Sequence, residues 1–128
     1  MHSTNTISEG KALSIGLWGL QILAAAAFLT AGGSKLAGVP AMVQAFEKVG
    51  MGQWFRYVTG ILEVGSAILL LIPALSGWGA LILIPVMIGA VIAHLTVLGG
   101  NPVAPIVLLI FVAIIAWFRQ ERTRQSIR

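Results

Sequence analysis

Four ionisable side chains sit within or beside stretches that are otherwise apolar: Lys35, Arg56, Glu63 and His94. Glu63 is the sharpest case, near the middle of residues 56–72, RYVTGILEVGSAILLLI, a run apolar enough to cross a bilayer. An ionised carboxylate at that depth is costly, so such residues face a bundle interior or a wet cavity and find a partner. Two chemistries follow from these residue types. Lys35, Arg56, Glu63 and His94 can grip the polar head of a small molecule while aliphatic walls hold its apolar body, or Glu63 and His94 can serve as the catalytic acid and base pair of an enzyme that isomerises, cyclises or hydrates a lipophilic substrate. The plainer alternative has Lys35 and Arg56 snorkelling to the headgroups, Glu63 bonding a nearby backbone group or Ser66, and His94 packing as a neutral ring.

No metal is expected. His94 has no His or carboxylate within three or four residues, His2 lies near the N-terminus, and one imidazole with one carboxylate falls short of a usual ligand set. GGSK at 32–35 lacks the spacing and the preceding strand of a phosphate loop. The chain has no cysteine, which removes disulfides, thiolate nucleophiles and Cys-ligated clusters.

The elements that must position these residues are set by composition. Of 128 residues, 58% are hydrophobic and 9% charged, with mean hydropathy +0.96; soluble domains carry about 25% charge. There is too little polar surface to coat a globule in water, so the partner is the lipid bilayer. The net charge of +4 is too sparse for a nucleic-acid surface, and the basic residues of the 119–128 tail read as positive-inside anchors.

The pattern predicts an all-α fold: a four-transmembrane-helix bundle with a short amphipathic helix between spans one and two, in one domain covering residues 1–128. Residues 1–10 read as a frayed tail. The first span covers about 13–36, longer than the apolar core of a cleaved leader, with Gln21, Phe28, Ala31 and Lys35 on one inward face. The interfacial helix, about 40–49, has Pro40 at its start, Gly50 at its stop and an apolar stripe of Met42, Phe46 and Val49. It is too short to span, so it lies at the surface or roofs the bundle, and its Gln44 and Glu47 join the candidate ligand contacts.

The second span, about 54–72, sets Arg56, Thr59, Gly60, Glu63, Ser66 and Ala67 against a lipid side of Val58, Ile61, Ile68 and Ile72. The third, about 79–98, contains Pro85, which should kink it, and His94 near its far end on the face of Met87 and Ala90. Asn101, a further candidate ligand contact, lies in the link to an aliphatic fourth span, about 103–118. Both termini then share a side. That side holds Lys11 and four arginines, which predicts cytoplasmic termini in a bacterial inner membrane.

Counting residues at about 1.5 Å each puts Lys35, Arg56 and His94 in the outer half, with Glu63 roughly 13 Å from Trp54. Arg56 and Glu63 share a face but lie two turns apart. Lys35 or His94, arriving on neighbouring helices, is therefore the better direct partner for Glu63.

The order and spacing of AGGSKLAG (31–38), FEKVGM (46–51), GILEVGSAILLLIP (60–73), MIGAVIAHL (87–95) and GGNPVAP (99–105) resemble the DoxX-like membrane proteins. The likeness runs from about Gly16 to Arg119. It lies in a Lys-Leu element after span one, Gly-x-x-Glu-x-x-(small) in span two and Gly-Ala-x-x-x-His in span three, and it points to Lys35, Glu63, Gly89, Ala90 and His94. The resemblance implies four-helix integral membrane proteins, similar to subunits of quinone-linked sulfur oxidation, to membrane partners in oxidative-stress assemblies and to eukaryotic assembly chaperones. A related branch linked to disulfide formation relies on cysteines, which this chain lacks.

The leading functional expectation is thus a protein that binds a small lipophilic ligand, with quinone the candidate cofactor, as a partner subunit of an oxidoreductase. The alternatives are the acid–base enzyme and an assembly or scaffold protein. Small residues such as Gly16, Gly19, Gly89 and Ala93 suit helix contacts within the chain, with a membrane protein partner or in a homo-oligomer.

Overall fold

A computed structural model describes residues 2–127, with side chains from Gly10 onward. Arg128, counted among the cations of the tail, lies outside the described residues. Every regular element among them is helical: α1 (His2–Ala37), α2 (Pro40–Val49), α3 (Trp54–Leu70), α4 (Ser76–Ala93) continued by a π-helical segment (His94–Leu98), α5 (Val103–Phe118) and α6 (Gln120–Ser126).

Four long helices pack in the order α1, α3, α4, α5, and α5 returns against α1 to close the bundle. The tight link after α3 makes α3 and α4 antiparallel neighbours. The core is small: Ala24, Ala25, Phe28, Ala67, Leu70, Ala80, Leu83, Met87, Val112 and Ile115. Large apolar side chains such as Leu23, Ile61, Leu95 and Trp117 stay exposed, and no more than 28% of the most apolar stretch of α1 and 11% of that of α4 is buried within the chain. In water such surfaces would drive aggregation; in lipid they are the solvated side.

By length and hydropathy two helical stretches can cross a membrane, Gly10–Ala37 and Ser76–Leu98. A third qualifies if α5 and α6, which meet at 63°, are taken together. The 17 residues of α3 give a rise of about 25 Å, short of a hydrocarbon core of about 30 Å. A chain of two to three candidate spans is therefore a coarser result than the four expected.

Other boundaries also moved. α1 begins at His2, inside the stretch read as a frayed tail: nothing between His2 and Glu9 breaks a helix, and once the span has nucleated the helix each added residue extends it readily. The 119–128 tail carries the short helix α6. α4 starts at Ser76 and continues through Pro85, and α-helical geometry is lost only at His94–Leu98. α1 stops at Gly38, whose φ of 72° is the left-handed conformation that costs glycine least.

Candidate functional site

The bundle holds two polar layers, one toward each end. In the first, α1 and α3 meet backbone to backbone. A Cβ built on Gly32 would stand 3.0 Å from the Gly60 carbonyl oxygen and 2.8 Å from Val64 Cγ2, and one on Gly60 would stand 3.1 Å from the Gly32 carbonyl oxygen. One helical turn beyond each glycine the two helices present Lys35 and Glu63. Lys35 Nζ lies 2.8 Å from Glu63 Oε1, the one ion pair among the described residues, with the carboxylate 1% exposed and the lysine side chain 13%. Oε1 lies within hydrogen-bond distance of the Lys35 ammonium, and Oε2 has no partner. A buried polar side-chain atom normally has at least one partner.

Arg56 is buried at 5% exposure and is committed elsewhere. It donates through Nη1 to the Lys35 carbonyl and through Nε to Gln53 Oε1 at 2.7 Å, with its guanidinium 4.4 Å from the Tyr57 ring centre. Gln53 Nε2 in turn donates to the Val43 carbonyl at 3.0 Å. A cation on the last carbonyls of α1 satisfies orphan acceptors and opposes the negative end of the helix. The same chain of bonds straps α2 to α1 and α3. Phe46 completes the strap, edge-on to Phe55 at 5.9 Å.

His94 opens the π-helical segment, against which α2 packs. Its Nδ1 lies 2.8 Å from the Ala90 carbonyl oxygen on its own helix, so the imidazole is anchored within α4, and its Nε2 makes no hydrogen bond among the described residues. Gln44 and Glu47 are exposed on α2. Asn101 is also exposed and accepts the Val103 N–H at 3.0 Å, starting α5. The structure thus joins Lys35 to Glu63 directly, and joins Arg56 to the Lys35 backbone instead of to Glu63. No polar contact links His94, Gln44, Glu47 or Asn101 to that pair. Among the described residues no three His, Asp or Glu side chains converge as metal ligands.

The second layer was not assembled by sequence reasoning. Gln21, fully buried, donates from Nε2 to the Leu70 carbonyl at 2.8 Å and to Ser76 Oγ at 3.0 Å, and accepts from Arg119 Nε at 2.9 Å. It therefore ties α1 to the end of α3, the start of α4 and the residue that follows α5 at one point. Gln21 sits fourteen residues before Lys35 on α1, about 21 Å along the axis. The available signal was its place on the inward face with Phe28 and Lys35; the partners, 49 to 98 residues away, had none.

With the geometry in view, comparison with known proteins adds one match. No curated protein and no solved structure matches the chain. The match is to the DoxX-like family over residues 19–118, a range that contains Lys35, Glu63, Gly89, Ala90 and His94. Family and apolar helices agree on an integral membrane protein, and the chain belongs to the DoxX-like family.

Proposed function

We propose that this DoxX-like protein crosses a bacterial inner membrane four times, with cytoplasmic termini, and that its Lys35–Glu63 pair receives the polar head of a small lipophilic molecule. The observation that carries this reading is the state of Glu63: 1% exposed, with Oε1 beside one lysine and Oε2 lacking a hydrogen-bond donor. A quinol hydroxyl would donate to the free oxygen and the carbonyl of the corresponding quinone would accept from Lys35, so the pair suits either state of a quinone couple, as in an oxidoreductase partner subunit. Four spans follow if the membrane thins slightly or the polar ends of α3 and α5 reach the headgroups. Two clefts lie near α6, away from Glu63, so the molecule would reach Glu63 by displacing α2, which is held by the Arg56–Gln53–Val43 strap, by Phe46 and by packing on the π-helical segment.

The test is mass spectrometry of solvent extracts of purified wild-type protein and Glu63→Gln, with thermal stabilisation by a short-chain quinone measured in both. A lipophile retained by wild type and lost in the variant is expected. No copurifying lipophile, together with equal stabilisation of both proteins, refutes the reading.

A second reading draws on the Gly32–Gly60 crossing, where backbones are in contact and a ligand has little room. Here the ion pair locks α1 to α3, and α2 offers its outer face to a partner in an assembly. Pull-down in mild detergent separates the two: loss of a partner on substitution of the 42–49 surface, with Glu63→Gln still competent, favours assembly. Acid–base catalysis by Glu63 and His94 would instead give a bell-shaped pH dependence of turnover that collapses in Glu63→Gln and His94→Ala.

A further inference from the structure

At the opposite end of the bundle α5 ends on Phe118, and the chain turns by 63° into α6. The turn leaves a cleft of about 500 Å³ between α6 and the first turns of the span in α1, lined by Ser14, Trp18, Pro73, Phe118, Arg119, Glu121, Arg122 and Gln125. Its composition is two-sided. Trp18, Pro73 and Phe118 supply its apolar lining, and two guanidinium groups and three neutral or acidic polar side chains supply the rest.

Arg119 is held in place. Its Nε is bound to the buried Gln21 at 2.9 Å, its guanidinium carbon is 5.8 Å from the Trp18 ring centre, and Nη2 is enclosed without a partner. The relay through Gln21 fixes the guanidinium with Nε engaged and Nη2 enclosed, leaving Nη1 as the group that can donate to a ligand. Arg122 is exposed three residues later on α6. Glu121 also lines the cleft but forms no ion pair with either arginine among the described residues, so the cleft keeps a net positive charge. A fixed guanidinium, a second cation and an aromatic wall at the end of a membrane span match a phosphodiester with its glycerol and acyl chains.

We propose that this cleft binds a phosphate group presented by an anionic phospholipid of the leaflet that contacts α6. The acyl chains lie along Trp18 and Phe118, the phosphate sits between Arg119 and Arg122, and the lipid fastens α6 to the membrane surface. The α1 residues of the site, Ser14 and Trp18, lie about 26–32 Å along the helix from Lys35, so it stands apart from the head-group reading of Glu63.

The test is native mass spectrometry of the purified full chain, released from micelles containing equal phosphatidylglycerol and phosphatidylcholine, with inorganic phosphate added in a separate arm. Wild type is expected to retain phosphatidylglycerol preferentially. Arg122→Gln, whose side chain is exposed and outside the Gln21 relay, should lower that retention by about 5-fold, and Glu121→Gln should raise it. Equal retention of the two lipids, or retention unchanged by Arg122→Gln, overturns the proposal. Displacement of the bound lipid by millimolar inorganic phosphate, or equal stabilisation by phosphate alone, overturns the lipid assignment. Glu63→Gln should leave phosphatidylglycerol retention unchanged; a matching loss there would place the lipid at the other layer and refute this site.

Discussion

Replacing Lys35 by methionine strips Glu63 of the only cation within ion-pair distance among the described residues, 2.8 Å away. The carboxylate is 1% exposed, so water cannot take over the lost contact without opening the α1–α3 crossing. Breaking one partner of a buried pair costs about 3–5 kcal/mol. Lys35 keeps 13% exposure, which admits some solvent from its side and puts the expected loss at the lower end, about 3 kcal/mol. The reverse change, Glu63→Leu, frees a lysine that can snorkel toward the headgroups, and should cost about 1 kcal/mol.

The double substitution removes both charges and fills the space with apolar atoms. It should then cost no more than about 1 kcal/mol, leaving a coupling of about 3 kcal/mol. Equilibrium unfolding in mixed micelles of sodium dodecyl sulfate and a mild detergent, followed by the fluorescence of the four tryptophans, measures all four corners of the cycle. A double variant whose loss equals the sum of the single losses, or Lys35→Met costing under about 1 kcal/mol, would refute the buried lock.

Three further outcomes are expected from the same assay and its relatives. Gly79→Ala places a Cβ 2.7 Å from the Ser66 carbonyl oxygen and 3.0 Å from the Leu70 nitrogen; backbone cannot yield, so about 1–3 kcal/mol is lost. Gly65→Ala, with nothing within 4 Å, is neutral or gains up to about 1 kcal/mol, and equal losses at the two positions contradict the packing described. Gln21→Leu deprives Arg119 Nε of its acceptor, which costs about 1–3 kcal/mol and shifts the emission of Trp18; an unchanged midpoint argues against the relay. Arg56→Met releases the Lys35 carbonyl and Gln53, so hydrogen exchange should quicken across α2 and the end of α1 while the α4–α5 contact is unaffected; Arg56→Lys restores little, because an ammonium lacks the planar fork. Uniform exchange across the chain would show that the strap is not local.

Much of the site was legible because a membrane makes polar residues conspicuous. In α3 the buried residues are Arg56, Gly60, Glu63, Ser66, Ala67 and Leu70, and Val58, Ile61, Ile68 and Ile72 are exposed. That division follows the helical wheel for five of the six residues placed on the inward face, Thr59 being half-buried, since 3.6-residue periodicity alone assigns a face. The expectation that Glu63 would meet Lys35 or His94 before Arg56 came from counting rise per residue, and the structure selects Lys35. Counting gives depth along a helix but no azimuth between helices. The choice between Lys35 and His94 was therefore open, and so was the destination of Arg56.

The amino-acid sequence by itself determined that this is an all-helical chain for lipid, where its long helices lie, apart from the N-terminal extension of α1 and the short α6, which face of α3 is polar, and its kinship with the DoxX-like family. Tertiary structure decided which polar groups meet. It set Gly32 against Gly60 so that Lys35 reaches Glu63, turned Arg56 onto the end of α1, and gathered Gln21, Ser76 and Arg119 into a second layer. The physical reason is that hydropathy periodicity is local, carried by a few turns of one helix. A hydrogen bond spanning 98 residues depends on how four helices close around one another, and on the distance at which two glycines let their backbones touch.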